Sequence, residues 1–551
     1  MSARDCRTAA VVAAAVALVL LPGVFVDLPA PRGKAVAGAC RVLAGDLPYR
    51  DFWTMYAPGQ FYAVAGLFAA FGRELWVQGA AAVAVQAVAA GLVCLLARRL
   101  GAPPLGAAAI ALVFGISLFT RAPELGSYPP VLPLLAGALL LISGYLYGAS
   151  PARLAAAGAL LGLAAAFKHD VAGYMALGAS AGLAIAWALA RERRPASWVA
   201  PSRSTFRLLG SAALVVAPLA LLIAWKAGPD AWRDLIIFPA GDFRGVRSEP
   251  WPGLLPSLGP LRDWLAAPLD LLRARDAGGA LSGWILCRLP ELAFLIGVAI
   301  LATRRRTMDP RRMATLALLL ASLPLFWMAA HVQKNTHLTT MALLSLLAGI
   351  VVWGELRRGS WARGAVLATG AVYAAGLLVP AAMEGWLCMR GLRWNVPLEL
   401  PGTLGIRVAP RQRHLYRELT SFVRQTVPPG EAIHVGLWRH DAVVVSDMRF
   451  HYLCDRPPAT RYHELHPGVT DREDVQREML ADLEAEQVRC AILWRFGWSD
   501  ELLDRIRDRR VERIPQCGST LLDDYFQAEF EPVLEEGEFT LLWRKGAPAG
   551  D

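Results

Sequence analysis

Residues 8–26 read TAAVVAAAVALVLLPGVFV, and residues 79–97 read GAAAVAVQAVAAGLVCLLA. Each run approaches the length of about 20 apolar residues that a helix needs to cross the hydrocarbon core of a bilayer. Similar runs recur along the 551 residues, of which 55% are hydrophobic. The chain is therefore predicted to be a mostly α-helical, polytopic membrane protein. The first run is interpreted as a retained helix, because it is long, lacks a clear cleavage site and is followed by further spans.

The pattern of apolar runs predicts about eleven membrane-spanning helices. Their approximate positions are 8–27, 76–97, 105–119, 129–148, 154–168, 171–190, 207–226, 289–303, 313–330, 337–354 and 363–383.

Arginine residues cluster in alternate loops between these predicted spans. Arg4 and Arg7 precede the first span, Arg98 and Arg99 follow the second, and the later groups keep the same alternation. Because short cytoplasmic loops are enriched in Lys and Arg, one orientation satisfies all of them. It places the N-terminus inside and the C-terminal region outside, which predicts a multi-pass membrane protein with an extracytoplasmic C-terminal domain.

The net charge of +10 is explained by this topology, and we do not expect nucleic-acid binding. The eight cysteines include no C-x-x-C pair, so the sequence indicates neither a zinc site nor a disulfide framework. A single Cys454–Cys490 or Cys490–Cys517 bond is left open.

The composition changes near Gly391, where charge rises and apolar runs shorten. Two domains are therefore predicted, a membrane domain over residues 1–390 and an extracytoplasmic domain over residues 391–551. Strands are predicted at 432–438, 488–494 and 539–543, with an amphipathic helix at 472–486. This order predicts a small α/β domain with its own core. Its histidines lack metal-ligand spacing, so a structural or substrate-contacting role is expected for them.

The polar stretch at residues 46–62, DLPYRDFWTMYAPGQFY, lies in the first outer loop. A general base must be a carboxylate or His placed at the reacting group. Asp51 is the best candidate for a catalytic carboxylate, with Arg50 and Tyr56 as candidate substrate contacts. The neighbouring aromatic side chains could bind a sugar face or anchor at the membrane interface. The alternative interpretation is a solvated Asp51 paired with Arg50.

Other outer loops carry further candidates. Glu124 could act beside Asp51 as a second catalytic or metal-binding carboxylate, or could form a surface pair with Arg121. The triplet Lys168, His169 and Asp170 interrupts an apolar region, which is unfavourable unless the charges bind something. It could hold a lipid phosphate, or form a simple turn with a Lys168–Asp170 pair. The similar group of candidate substrate-binding residues at another helix end comprises His331, Lys334 and His337.

The phrase G-D-L-P-Y-R-D-F-W-x-x-Y-A-P-G-Q-F-Y, the following L-F-A-A-F-G and the later F-K-H-D-V-A-G resemble bacterial relatives of family 39 glycosyltransferases. These belong to the C superfamily (GT-C), with the protein O-mannosyltransferases and the lipid A aminoarabinose transferases. The resemblance implies a protein of the bacterial inner (plasma) membrane. It also implies transfer of a sugar from a polyprenyl-phosphate donor to a glycan, lipid or protein acceptor on the outer face of that membrane. Asp51 matches the family's first-loop acid, and Glu124 is the nearest match to an assisting carboxylate in a later outer loop.

The resemblance also implies that a divalent metal (Mg, Mn or Zn) could be used, since some members of the superfamily use one and others do not. Asp51 and Glu124 would be its ligands. Arg50 stands where O-mannosyltransferases have a second acid, which argues against a protein acceptor. Two other functions are compatible with the residues alone: a transporter or flippase, and a non-catalytic envelope assembly protein that presents its C-terminal domain.

Overall fold

The structure is a computed structural model of the chain. It describes residues 2–28, 33–148, 150–241, 251–253, 255, 262, 265–266, 271–330, 334–356, 360–443, 445–495 and 518–548. His331 and Cys517, which are named above from the sequence, lie outside these ranges. For Lys334 the structure describes only the backbone, which begins a helix.

Thirteen labelled helices form the part of the described chain that precedes the C-terminal region. They are α1 (Ala3–Leu20), α2 (Lys34–Leu43), α3 (Gly59–Phe71), α4 (Leu75–Arg99), α5 (Pro104–Ile116), α6 (Val131–Leu146), α7 (Ala152–Ala165), α8 (His169–Leu189), α9 (Pro201–Ala227), α10 (Leu271–Arg304), α11 (Pro310–Ala330), α12 (Lys334–Glu355) and α13 (Trp361–Trp394). A 3₁₀ turn over Leu21–Phe25 continues α1, and short helical turns occupy residues 230–240.

All eleven predicted spans coincide with a helix. Eight helices of the described residues are long and apolar enough to cross a membrane, so the chain is an integral membrane protein. The helices α5, α6 and α7 are apolar but only 13, 16 and 14 residues long. The exact number of crossings therefore stays a prediction. The segment between the predicted spans 207–226 and 289–303 is not all loop, because α10 begins at Leu271.

Small residues allow the membrane helices to approach closely. A Cβ atom built on Gly182 of α8 would lie 2.3 Å from Cα of Leu318 on α11, and one on Gly178 would lie 2.6 Å from Cα of Ser322. Inside a bilayer there is little hydrophobic force between helices, so close packing of this kind stabilises the bundle. The alanine and glycine content of the spans therefore has a direct structural use.

The C-terminal region contains the predicted strand–helix–strand unit. Its elements are β1 (Val396–Pro397), β2 (Arg407–Val408), α14 (Pro410–Thr426), β3 (His434–Leu437), α15 (Arg449–Cys454), α16 (Glu473–Ala485), β4 (Cys490–Trp494), α17 (Leu521–Glu529), β5 (Phe530–Glu536) and β6 (Phe539–Arg544). A four-stranded sheet has the order β3-β4-β6-β5, and only the β3–β4 pair is parallel. The strands β1, β2 and β5 and the helices α14, α15 and α17 were not predicted from the sequence.

One cluster of buried apolar side chains joins this region to the first loop. It contains Trp53 and Val64 from the loop side together with Leu419, Phe450 and other residues of the C-terminal region. The expected independent core is therefore wrong in one respect, since the first loop contributes to it. The shared core also puts the first loop and the C-terminal region on the same side of the bundle.

Candidate functional site

The loop between α5 and α6 reaches the start of α2 through Glu124. Oε1 of Glu124 accepts a hydrogen bond from the backbone N–H of Ala35 at 2.7 Å, and its side chain is buried. The first N–H groups of a helix have no partner within the helix, and the positive end of the helix dipole favours a negative charge there. Gly33 precedes α2 with a φ of 79°, which glycine adopts without strain. Glu124 thus caps α2. The alternative interpretation, a surface pair with Arg121, is wrong, because Arg121 pairs with Asp27 and Glu384.

Four side chains from distant segments meet at this end of α2, and we call them the Lys34 cluster: Lys34, Tyr56, Glu124 and Glu464. Nζ of Lys34 lies 3.1 Å from the centroid of the Tyr56 ring. Burial raises the pKa of Glu124 to about 7, against the opposing effect of Lys34. Burial also opposes the charge on Lys34, but Tyr56, Glu464 and Glu124 outweigh it and raise the pKa of its amine. A charged lysine is therefore held beside a carboxyl group that titrates near neutrality.

Two glutamines border the Lys34 cluster. Gln78 of α4 holds the loop in place, because Oε1 accepts the N–H of Leu125 at 2.7 Å and Nε2 donates to the carbonyl of Pro123 at 3.2 Å. Gln60 of α3 is fully buried beside Gly126. Within the described part of the chain, neither amide atom of Gln60 has a hydrogen-bond partner. An unsatisfied buried polar group is unfavourable by about 1–3 kcal/mol, so the Gln60 amide is available to a polar ligand or water.

Asp51 lies near the other end of α2. Its carboxylate is 28% exposed, bonds to Nε and Nη2 of Arg50 at 2.8 and 2.7 Å, and accepts the N–H of Leu47 at 2.7 Å. The hydrogen bonds from Arg50 hold the pKa of Asp51 below its usual value. Arg41 of α2 donates to the carbonyl of Asp51 at 2.8 Å. The Arg50–Asp51 pair expected in the alternative interpretation is thus present.

The two candidate carboxylates have separate partners at opposite ends of α2, a helix of 10 residues. Such a helix is about 15 Å long. Among the described residues, no group of three His, Cys, Asp or Glu side chains could hold a metal ion. Asp51 and Glu124 therefore do not fit a joint site for a divalent metal.

The aromatic side chains next to Asp51 are part of the core. Phe52 is fully buried and packs on Phe61 and His463, with ring centroids 5.5 and 5.3 Å away. Trp53 is buried, and its ring centroid lies 5.7 Å from that of His466. Neither ring is available to stack on a sugar, so that expectation is wrong for both. Five histidines of the C-terminal region are buried, namely His434, His440, His451, His463 and His466, whereas His414 is exposed.

The start of α8 carries the second group of charges, which we call the Lys168 cluster: Lys168, Asp170 and His337. Nζ of Lys168 lies 3.1 Å from Oδ2 of Asp170, and Nε2 of His337 lies 3.5 Å from the same oxygen. His337 comes from α12, so the structure joins two of the groups that the sequence singled out separately. His169, next in the chain, is half-buried, and within the described residues its Nδ1 has no hydrogen-bond partner.

The Lys168 cluster lies next to the first loop. The N–H of Gly59, at the start of α3, donates to the carbonyl of Ala166 at 2.9 Å. A Cβ on Gly59 would lie 2.5 Å from that oxygen, so the absence of a side chain permits this approach. Gln60, which borders the Lys34 cluster, follows directly in α3, so the start of α3 lies between the surroundings of the two clusters.

Sequence reasoning missed Lys34, Gln60 and Glu464. Lys34 is one of few lysines in an arginine-rich chain, which was the only local signal for it. Gln60 and Glu464 gain their significance from burial and from partners far away in the sequence, which no local pattern records.

Two solved structures are similar to the chain over nearly its whole length. One is the crystal structure of ArnT from Cupriavidus metallidurans bound to undecaprenyl phosphate, at 15% identity and a TM-score of 0.48, covering 98% of each chain. The other is ArnT from the same organism in the apo state, at 15% identity and a TM-score of 0.42, covering 97% of each chain. No family model and no curated protein matches the chain.

Proposed function

We propose that the protein is an integral membrane glycosyltransferase that moves a sugar from a polyprenyl-phosphate donor to a glycan, lipid or protein acceptor on the outer face of a bacterial inner membrane. The resemblance of the first-loop phrase to family 39 glycosyltransferases supports this function. The observation that carries it is the hydrogen bond from the N–H of Gly59 to the carbonyl of Ala166, which brings the first loop that bears Asp51 next to the turn that bears Lys168.

The reaction needs a group that accepts a proton from the acceptor and a cation that stabilises the leaving phosphate. The acceptor oxygen or nitrogen attacks the anomeric carbon, the bond from that carbon to the phosphate oxygen breaks, and its electron pair stays on the phosphate. Asp51 takes the proton that the acceptor loses. Its lowered pKa keeps it ionised at neutral pH, and its partial exposure makes it accessible to an acceptor.

Lys168 is the proposed contact to the donor phosphate. Its ammonium group is buried and already held near Asp170. A phosphate bound there would lie next to the fixed ammonium group of Lys168 and near His337. Charges that are held in place stabilise the negative charge that develops on the leaving phosphate in the transition state. The side chains of His331 and Lys334 are assigned to the same role, from the sequence alone.

The partly exposed position of Asp51 allows a direct test. Asp51→Asn keeps an oxygen that can accept the N–H of Leu47 but removes the base, so we expect transfer to fall by about 10²-fold or more. Asp46→Asn is the matched control, because Asp46 is also in the first loop and ion-paired, to Arg41 at 2.6 Å. We expect the control to keep its activity.

The assay follows loss of labelled sugar from polyprenyl-phosphate hexose and pentose donors in proteoliposomes supplied with membrane lipid and glycan extracts. Unchanged transfer by Asp51→Asn would remove Asp51 from the mechanism. Uptake of a labelled solute without any lipid donor would instead favour a transporter.

A further inference from the structure

Two arginine side chains converge at the end of the bundle opposite the C-terminal region. The N–H of Leu75, at the start of α4, donates to the carbonyl of Gly402 in the C-terminal region, whereas Arg99 ends the same helix. The 25 residues of α4 span about 37 Å, enough to cross a bilayer. Arg99 therefore lies at the other membrane surface, where Arg153 occupies the first turn of α7.

Gly144 of α6 provides the space in which these arginines meet. A Cβ built on Gly144 would lie 2.3 Å from Nη1 of Arg153 and 2.6 Å from Nη1 of Arg99. Two atoms at these distances from a third point cannot be more than about 5 Å apart. Both arginines are half-buried, so water screens their mutual repulsion only in part.

Acidic side chains of the described residues leave the positive charge of this pair unbalanced. In the ranges that the structure describes, no carboxylate forms an ion pair with Arg99 or Arg153. Asp309 accepts a backbone N–H at the start of α11, and Glu355 pairs with Arg312 at 2.7 Å. Nη1 of Arg99 donates to the carbonyl of Leu140 at 3.1 Å, which occupies one donor but does not neutralise the charge. Two guanidinium groups at this separation therefore favour an anion between them.

We propose that Arg99 and Arg153 bind the phosphate group of an anionic phospholipid in the membrane leaflet opposite the C-terminal region. Phosphate oxygens match the donor geometry of guanidinium groups and form short, charge-assisted hydrogen bonds with them. The site lies at the end of a spanning helix, which is the depth of lipid phosphates. Anionic head groups bind at basic positions between helices on the cytoplasmic side. Arg311, close to Gly148, adds positive charge at the rim.

The test uses the purified full-length protein in detergent. Short-chain phosphatidylglycerol, phosphatidylcholine and inorganic phosphate are titrated at equal ionic strength, with thermal unfolding as the readout and native mass spectrometry to count bound lipid. We expect phosphatidylglycerol to raise the Tm, and phosphatidylcholine and inorganic phosphate to leave it unchanged.

Two variants test the site. The double variant Arg99→Gln with Arg153→Gln should raise the apparent Kd for phosphatidylglycerol by about tenfold or more. Gly144→Ala should weaken binding without changing any charge, because the added methyl group pushes only the flexible ends of the two arginines apart. The matched control, Arg7→Gln with Arg306→Gln, removes the same charge from exposed positions on the same membrane surface and should bind normally.

Three outcomes would overturn the proposal. The first is an equal loss of lipid binding in the control, which would indicate a general effect of surface charge. The second is an equal Tm increase with inorganic phosphate, which would indicate a soluble anion. The third is unchanged phosphatidylglycerol binding in both the Gly144→Ala variant and the double arginine variant.

Discussion

The replacement Glu124→Gln tests the buried Lys34 cluster most directly. Glu124 caps α2, and the pKa of its carboxyl group is raised from 4.5 to about 7, chiefly by burial. Glutamine keeps an oxygen that can accept the N–H of Ala35 but has no charge at any pH. The variant therefore separates the hydrogen bond from the ionisation.

The expected magnitude follows from the pKa difference. A group whose pKa is raised on folding binds its proton more tightly in the folded state, so its stabilising effect is fully present below the unfolded pKa, near 4.5, and is lost as pH rises through about 7. One pKa unit corresponds to about 1.4 kcal/mol. Ionisation of Glu124 should therefore lower the free energy of unfolding by about 3 kcal/mol between pH 4.5 and pH 8, and Glu124→Gln should abolish this loss.

The measurement is thermal unfolding of the purified protein followed by tryptophan fluorescence from pH 4.5 to pH 8, since the chain contains 18 tryptophans. The difference in Tm between the variant and the wild type should grow with pH by several degrees. Glu399→Gln is the control, because the carboxylate of Glu399 is exposed and paired with Arg413 and Arg417. We expect it to leave the pH dependence unchanged.

The result that refutes the reasoning is a pair of parallel curves for Glu124→Gln and the wild type over this pH range. It would mean that Glu124 keeps the same charge across the range, and that the buried carboxyl group does not titrate near neutrality.

Two further variants test the packing of the first loop and the donor site. Gly38→Ala should lower stability by about 1–3 kcal/mol, because its Cβ would lie 2.4 Å from the ring of Phe61, whereas Gly66→Ala in α3 has open space and should be neutral or slightly stabilising in thermal unfolding. Lys168→Met should raise the KM for the polyprenyl-phosphate donor by about tenfold or more. The control Lys226→Met removes an exposed lysine and should leave this KM unchanged. An equal effect of both variants in donor titrations would contradict a specific phosphate contact.

The helices of the membrane region could be predicted because each one satisfies its own backbone hydrogen bonds and is recognised by local apolar composition. The same holds for the strand–helix–strand unit, whose period is visible in a short window. Among the site residues, Asp51, Glu124 and Lys168 attract attention because charge at the edge of an apolar region is unfavourable without a partner. These inferences need only neighbouring residues.

The partners of those charges depend on the tertiary structure alone. Glu124 binds the N–H of Ala35, 89 residues away, and Asp170 meets His337 from another helix. Phe52 and Trp53 resemble exposed binding residues in the sequence, but packing against the C-terminal region buries them. Local composition determines which segments form helices and enter the membrane. Burial and pairing depend on which distant segments come into contact, and no short stretch of sequence contains that information.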